Sequence, residues 1–312
     1  MNIIVTGGAG FIGSHLVDAL AERGLDVVVI DNLSTGRREN LPRNVSLIEA
    51  DVRDADKMEA IFSRKRPSLV FHLAAQMNVR RSLVDPRLDA DVNILGSLAV
   101  FKAAARSRAR RVLFASSGGA IYGEQQELPC RESAVPSPSS PYGIAKLAVE
   151  LYGRQHAEVG AFDFVALRLA NVYGPLQNPE GEAGVVSLFL SNLLEGRSSA
   201  IFGDGEQTRD FVWVGDVVDA FLKGVDGPPG VYNVGTGQET GVLELYRRLE
   251  RLTGTQLPPR WLAAIPGEVR RNVLSADRAR THLGWTARQS LRDGLDETVK
   301  SVRSSYSAAR SS

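Results

Sequence analysis

Cysteine is nearly absent from the chain: Cys130 is the only one among 312 residues. An intrachain disulfide is excluded, and so is a zinc site built on paired thiolates. The expectation is a reducing, cytoplasmic setting. Histidine is almost as scarce, and His15, His72, His156 and His282 show no metal-ligand spacing, so no metal is expected. Long apolar runs are missing too. None reaches the roughly 18 residues of a membrane-crossing helix. No basic segment precedes the apolar run after Met1, so no membrane association is expected. Nor does charge of one sign prevail: 37 Lys and Arg stand against 36 Asp and Glu, a formal net charge of +1. No global field recruits nucleic acid, so an anionic ligand has to be met by local charges. A G-x-S-x-G nucleophile elbow and a Walker loop are lacking as well.

What remains is ordinary globular material, 43% hydrophobic and 23% charged. The length suits two domains, or one large domain with an appended lobe. Strand-like runs over 2–6, 27–30 and 69–73 alternate with helical patterns over 14–23 and 56–64. Near-continuous apolar strands such as 27–30 and 112–115 imply a sheet covered on both faces. Further helices are expected from Asp91 through 99–108 and over 142–159, with Arg110 and Arg111 on a solvated face. The fold class is α/β, a Rossmann-like doubly wound parallel sheet with a smaller C-terminal lobe. From about Asn178 a helix over 185–195, a strand over 200–202 and a helix over 242–253 break the alternation. The division is therefore 1–177, mainly the doubly wound domain, and 178–312, mainly the substrate-binding lobe. Strands over 165–169 and 231–234 are expected in the main sheet, and the Ser- and Arg-rich tail over 301–312 is expected to fray.

Two constellations carry chemistry. Gly7, Gly10 and Gly13 follow an apolar strand and open a helix, where small residues allow a tight turn and close approach to a pyrophosphate. The helix N-terminus then offers N–H groups to the phosphates. Asp31, at the end of the next strand, is placed to bind an adenosine ribose and repel a 2′-phosphate, which favours NAD over NADP. Tyr142 and Lys146 are four apart on one helix and share a face. A tyrosine becomes a base near neutral pH only where an ammonium and a bound pyridinium favour its phenolate, and Lys146 is expected to supply part of that field. Ser116 and Ser117 end the strand over 112–115, so that one hydroxyl can bridge the substrate oxygen and the tyrosine.

Taken in order, TGGAGFIGSH at 6–15, residues 31–36, FHLAAQ at 71–76, residues 91–93, SSGGAIYG at 116–123 and YGIAK at 142–146 resemble the extended short-chain dehydrogenase/reductase family. NVYGP at 171–175, IFGDG at 201–205 and QTRDFVWVGD at 207–216 resemble its nucleotide-sugar branch. The resemblance implies an NAD shell of Gly7, Gly10, Phe11, Ile12, Asp31, Asn32, Leu33, Ser34, Thr35, Gly36, Asp51, Val52, Leu73, Ala74, Ala75, Gln76, Asn93, Tyr142, Lys146 and Ala170. It gives the catalytic hydroxyl to Ser117, beside Tyr142 and Lys146. Around the substrate nucleotide it implies Asn171, Gly184, Val185, Ala200, Phe202 and Arg209, with Asn272 lining the sugar pocket. The activity implied is reversible epimerisation at carbon 4 of a UDP-hexose through a 4-keto intermediate, in a homodimer formed by the helices near 92–106 and 141–158. One departure is noted: Ile265 stands where relatives commonly carry a second diphosphate arginine, leaving Arg270 or Arg271 as replacement or a weaker grip. The rival readings are a nucleotide-sugar 4,6-dehydratase and a silent NAD-binding sensor. The dehydratase pattern has an Asp-Glu pair after the serine, where Gly118 and Gly119 stand here.

Overall fold

The computed structural model describes residues 2–179, 184–265 and 267–311, with 305–311 described through their backbone alone. In chain order the strands are β1 (Asn2–Thr6), β2 (Asp26–Asp31), β3 (Ser46–Glu49), β4 (Leu69–His72), β5 (Arg111–Ser117), β6 (Asp163–Leu169) and β7 (Asn171–Tyr173). The second half adds β8 (Ala200–Phe202), β9 (Thr208–Arg209), β10 (Phe211–Trp213), β11 (Gly230–Val234), β12 (Thr240–Gly241), β13 (Arg260–Leu262) and β14 (Arg271–Asn272). Seven of them form one sheet in the order β11-β6-β5-β4-β1-β2-β3, and every pairing in it is parallel. The order reverses at β1, which lies between β4 and β2. At such a switch point the strand ends open a crevice.

Alternation along each strand divides the core into two layers, one on each face of the sheet. Ile3, Val5, Val29, Phe71 and Leu113 belong to one buried cluster, and Ile4, Val28, Ile30, Val70 and Phe114 to the other. A third cluster, built on Phe189, Leu190, Leu245, Tyr246 and Leu295, holds the C-terminal lobe together. β11 is the exception in that half of the chain, since it pairs with β6 at the edge of the main sheet.

Four local outcomes differ from the sequence reading. The helix after Asp91 begins as a π turn, Asp91–Leu95, and becomes α-helical only over Gly96–Arg106; a π turn rotates its side chains relative to a regular helix, which here leaves Asn93 buried against the β4 loop. Arg111 is buried rather than solvated: Nη1 donates to the carbonyls of Gly224, Val225 and Gly227, and Nη2 to Asp163 Oδ2 at 2.8 Å. Its guanidinium satisfies carbonyls at the end of the helix Val214–Gly224. The backbone of the tail continues the helix Leu291–Ser311, whose first part packs into the lobe core through Leu295, Val299 and Val302 on one face. The edge strand β3 has no expected counterpart, its outer residues being exposed and its inner ones only half-buried.

Candidate active site

The turn after β1 takes its shape from close approaches. Gly7 has φ +70°, and a Cβ there would lie 2.5 Å from the Ala74 backbone N. One added at Gly13 would lie 2.2 Å from Gly7 O, so the helix Phe11–Ala21 packs against the turn only with glycine at that place. Gly10 caps this helix without a side-chain acceptor, which leaves the first N–H groups, at Phe11 and Ile12, able to meet an anion. Asp31 is buried at the end of β2, where Oδ1 accepts from Leu33 N at 2.9 Å and Oδ2 from Ala9 N at 3.0 Å. Burial raises its pKa, and these two bonds oppose the rise. The loop 32–36 folds back on the turn, with Ser34 bonded to Asn32, and with Gly36 so near Ala9 that a Cβ would come within 2.9 Å of its carbonyl carbon. Asn32 donates to Asp51 Oδ2 at 3.0 Å, and Arg53 holds the Asp51 carboxyl well below the usual carboxylate range.

The far side of the crevice follows β4. Leu73 N donates to Thr6 O at 3.0 Å, bringing 73–75 beside the turn, and Gln76 N donates to Asn93 Oδ1 at 2.8 Å. Val52 lies under the π turn, close to Gly96. His72 is fully buried, its pKa pushed down to about 3 by burial and then by Lys146, so it is neutral. The Ser97 hydroxyl donates to Asn93 O, so it accepts from His72 Nε2, and Nδ1 accepts from Thr6 Oγ1 at 2.6 Å. His15 is structural, Nε2 lying 3.0 Å from Pro175 O.

The reactive residues meet at the end of β5. Ser140 caps the helix Pro141–Glu158 through Gly143 N, which sets Tyr142 in its first turn. The Ser117 hydroxyl lies close enough to the Tyr142 side chain to lower its pKa. Lys146, buried one turn later, donates from Nζ to Ala115 O at 2.8 Å and lies 5.6 Å from the Tyr142 ring centroid. Ser116 points away, to Glu150. Burial lowers the Lys146 pKa to about 8 against the raising influence of Asp89 and Glu150. Burial pushes Tyr142 up to about 12, the Ser117 hydroxyl only partly offsets this, and the Asp89 charge adds to the rise, so a phenolate needs the pyridinium charge beside the ammonium. In the protein alone the phenol keeps its proton, so the field of Lys146 is insufficient by itself.

A family model described as the NAD dependent epimerase/dehydratase family matches residues 3–235. The chain belongs to this family. It is 42% identical over 311 residues to the UDP-glucose 4-epimerase of Mycolicibacterium smegmatis, covering 97% of this chain and 99% of that protein. Among solved structures it is similar to the UDP-glucose 4-epimerase of Thermotoga maritima with UDP-glucose, at 46% identity and a TM-score of 0.96, covering 98% of this chain and 100% of that one. The Thermus thermophilus UDP-glucose 4-epimerase complex with NAD follows at 40% identity and 0.94, with 97% and 99% covered. The UDP-N-acetylglucosamine 4-epimerase of Methanobrevibacter ruminantium matches at 36% and 0.92, with 97% and 98% covered. NAD is the cofactor of the family, and the crevice fits it on its own geometry: a tight glycine turn closely packed on its neighbours, a helix N-terminus without a side-chain cap, and a buried carboxylate at the end of β2. Among the described residues no group of three or more His, Cys, Asp and Glu could hold a metal ion. None of their helices is long and apolar enough to cross a membrane.

On the opposite wall, a Cβ at Gly119 would lie 3.8 Å from Asn171 Oδ1 and 3.9 Å from Ser117 Oγ, so Asn171 and the serine converge there. Ala170, buried between β6 and β7, donates to Val234 O. β14 pairs with β9 so that Asn272 stands opposite Arg209. Asn272 is buried rather than solvated; Nδ2 lies 3.5 Å from Gly118 O, and Oδ1 has no hydrogen-bond partner. Arg209 Nη2 bonds Glu268 at 2.9 Å, while Arg270 and Arg271 are engaged by Asp204 and Glu239. Ala200 and Phe202 share one face of β8, and the Arg80 guanidinium lies 5.2 Å over the Phe202 ring. Gly184 caps the helix that Val185 begins, Val185–Leu194, packed so near Gln177 that a Cβ would lie 2.5 Å from its Nε2.

Sequence reasoning missed Asp89. It is buried, accepts at Oδ1 from Gln76 Nε2 at 2.8 Å and Asn93 Nδ2 at 3.0 Å, and leaves Oδ2 without a partner. Its only sequence signal is an acidic residue in a short helix, Pro86–Ala90, which ordinarily reads as solvated.

Proposed function

We propose that the chain is an NAD-dependent epimerase acting at carbon 4 of UDP-glucose and UDP-galactose. The observation that carries this reading is the convergence of Ser117, Tyr142 and Lys146 at the end of β5, facing the glycine cradle across the crevice. Bound NAD supplies the hydride acceptor and a positive charge. Gly7, Gly10, Asp31 and the 32–36 loop hold its adenosine half, while Gln76, Asn93, Tyr142 and Lys146 border the reacting half. Tyr142 takes the proton of the 4-hydroxyl as that carbon loses hydride, and Ser117 holds the same oxygen by hydrogen bond. Lys146, tied to Ala115 O, holds its ammonium over the Tyr142 ring. The 4-keto sugar turns over, takes hydride on its other face, and recovers the proton from Tyr142. Arg209 exchanges Glu268 for the diphosphate, Asn171 reaches the adjoining phosphate or sugar, and Ala200 and Phe202 face the uracil beside Gly184 and Val185.

The test is to incubate the purified protein with UDP-glucose and resolve products by chromatography and mass. An isomer of unchanged mass is expected, with no accumulation of free NADH. Loss of water would favour a 4,6-dehydratase instead, against which Gly118 and Gly119 stand after Ser117.

Two further outcomes follow from the binding walls. Asp31→Ala is expected to weaken NAD and narrow its advantage over NADP, because the ribose loses an acceptor and the 2′-phosphate loses a repulsion. Titration with both cofactors checks this, and an unchanged affinity ratio would remove Asp31 from the ribose. Asn272 leaves its amide oxygen unpaired at the sugar wall, where a tyrosine would crowd out an N-acetyl group at carbon 2 of the sugar. The wild type is therefore expected to epimerise UDP-N-acetylglucosamine as well, with Asn272→Tyr suppressing that activity and sparing UDP-glucose. Equal loss of both activities in the variant would end the gatekeeper role.

The quaternary part of the reading is a homodimer joined through the helices Gly96–Arg106 and Pro141–Glu158, supported by the exposed apolar side chains of Leu95, Ile144, Leu151 and Tyr152. A cytoplasmic setting accords with Cys130 as a free thiol.

A further inference from the structure

Behind the reactive serine lies a buried ion pair that takes no part in the chemistry above. Glu150 follows Lys146 by one turn of the helix Pro141–Glu158, and both are buried on the same face. Glu150 Oε1 accepts from Ser116 Oγ at 2.5 Å and from Arg168 Nε at 3.0 Å; Oε2 accepts from Arg168 Nη2 at 2.7 Å. From Arg168 the network continues outward. Nη1 donates to Tyr122 Oη at 2.9 Å, Tyr122 Oη donates to Asn233 Oδ1 at 2.7 Å, and Asn233 Nδ2 donates to the Cys130 and Ser275 carbonyls. One carboxylate thus joins β5, β6 and the helix of Tyr142, with a further link to β11. A buried ion pair contributes little net stability relative to apolar side chains of the same volume. What this one supplies is fixed geometry: Glu150 ties the end of β5 through Ser116, and β6 through Arg168, to the helix of Tyr142 and Lys146, so the backbone that carries Ser117 is held relative to both.

We propose that Glu150 is a positioning residue for the epimerisation, bridging Ser116 and Arg168 so that the end of β5 keeps Ser117 beside Tyr142 and Lys146 on the Ala115 carbonyl. The inference rests on the reading of Tyr142 as proton acceptor. Glu150 acts on Lys146 through its charge as well. The groups facing Lys146 are Asp89 from the helix Pro86–Ala90, Glu150 and Tyr142 from its own helix, and the neutral His72 from β4. With Tyr142 protonated, Asp89 and Glu150 are the ones among these that favour the ammonium. Without Glu150 the ammonium loses one of two supporting charges while Arg168 stays buried nearby, so Lys146 sheds its proton at lower pH.

The experiment measures kcat, KM and their pH dependence on the NAD-loaded enzyme for Glu150→Gln, Glu150→Asp and Ser116→Ala. Glu150→Gln is expected to retain NAD and to change KM little, to lower kcat at pH 7 by about 10- to 100-fold, and to move the alkaline limb of kcat to lower pH. Glu150→Asp, which keeps the charge, is expected to return the limb toward its wild-type position. Ser116→Ala, which removes a single hydroxyl, is expected to lower kcat severalfold without moving the limb. Should Glu150→Gln fail to fold, Ser116→Ala decides through kcat, and an unchanged value there overturns the proposal. Wild-type kcat in Glu150→Gln overturns it, as does a lower kcat with an unmoved limb, the mark of a merely structural role. A wild-type enzyme that epimerises no UDP-hexose overturns the functional reading itself and the proposal with it.

Discussion

Tyr142→Phe is expected to lower kcat by about 100- to 10,000-fold, the usual cost of losing a positioned acid or base, while NAD remains bound. The ring keeps its place on the helix Pro141–Glu158, and only the phenol oxygen is lost. The expected separation of effects follows from the proposed division of labour, in which the glycine turn and Asp31 bind the cofactor from β1 and β2 while the phenol sits on the helix Pro141–Glu158. The check is turnover of UDP-glucose alongside the NAD content of the purified variant. Near-wild-type turnover would remove Tyr142 from the proton transfer. Loss of NAD together with activity would instead assign the ring a binding role.

The largest expected effect on stability lies at Asp210, between β9 and β10. Its carboxylate is fully buried and accepts from Thr236 N at 2.9 Å, Thr236 Oγ1 at 2.5 Å, Gly237 N at 3.1 Å and Leu274 N at 3.2 Å. It thereby joins the turn after β11 to the strand beside Arg209 and to the segment following Asn272. Burial raises its pKa, and the bonds from Thr236, Leu274 and Gly237 oppose that rise. Asp210→Ala leaves these donors without an acceptor, at a cost of about 3 kcal/mol or more, with a thermal midpoint about 5 °C or more lower. Asp210→Asn, which keeps one acceptor oxygen, is expected to fall between. Differential scanning calorimetry checks both, and a loss below about 1 kcal/mol in the alanine variant would mean that water serves these donors equally well.

The parts of this protein legible in its sequence are those set by local rules. The Gly7 turn needs glycine for space, β1 and β4 need continuous apolar side chains because both their faces are covered, and the spacing of Tyr142 and Lys146 is a helical repeat. The parts that escaped are set by partners far along the chain. Asp89, Arg168 and Asp210 look like surface charges until Gln76, Glu150 and Thr236 are brought to them, since nothing in a one-dimensional pattern marks a polar residue whose partner lies elsewhere. Arg111 was misread for this reason. The π turn at Asp91–Leu95 escaped differently: its residues suit an ordinary helix, and the extra residue per turn follows from seating Asn93 against Gln76. The protonation of Tyr142 depends on burial, which spacing does not record.

The placement of β11 has a practical consequence for dividing the gene. A fragment ending at residue 177 would contain the glycine turn, Asp31 and all three reactive side chains, yet it would lack the strand that closes the sheet. β6 would be left with an open row of N–H and C=O groups along Val165–Leu169, flanked by apolar side chains that are buried in the whole chain. Such an edge is a template for self-association. Arg168 would keep Glu150, while Tyr122 would lose Asn233. The two pieces are therefore expected to be recovered as soluble protein only when expressed together, as a complementing pair rather than as independent modules.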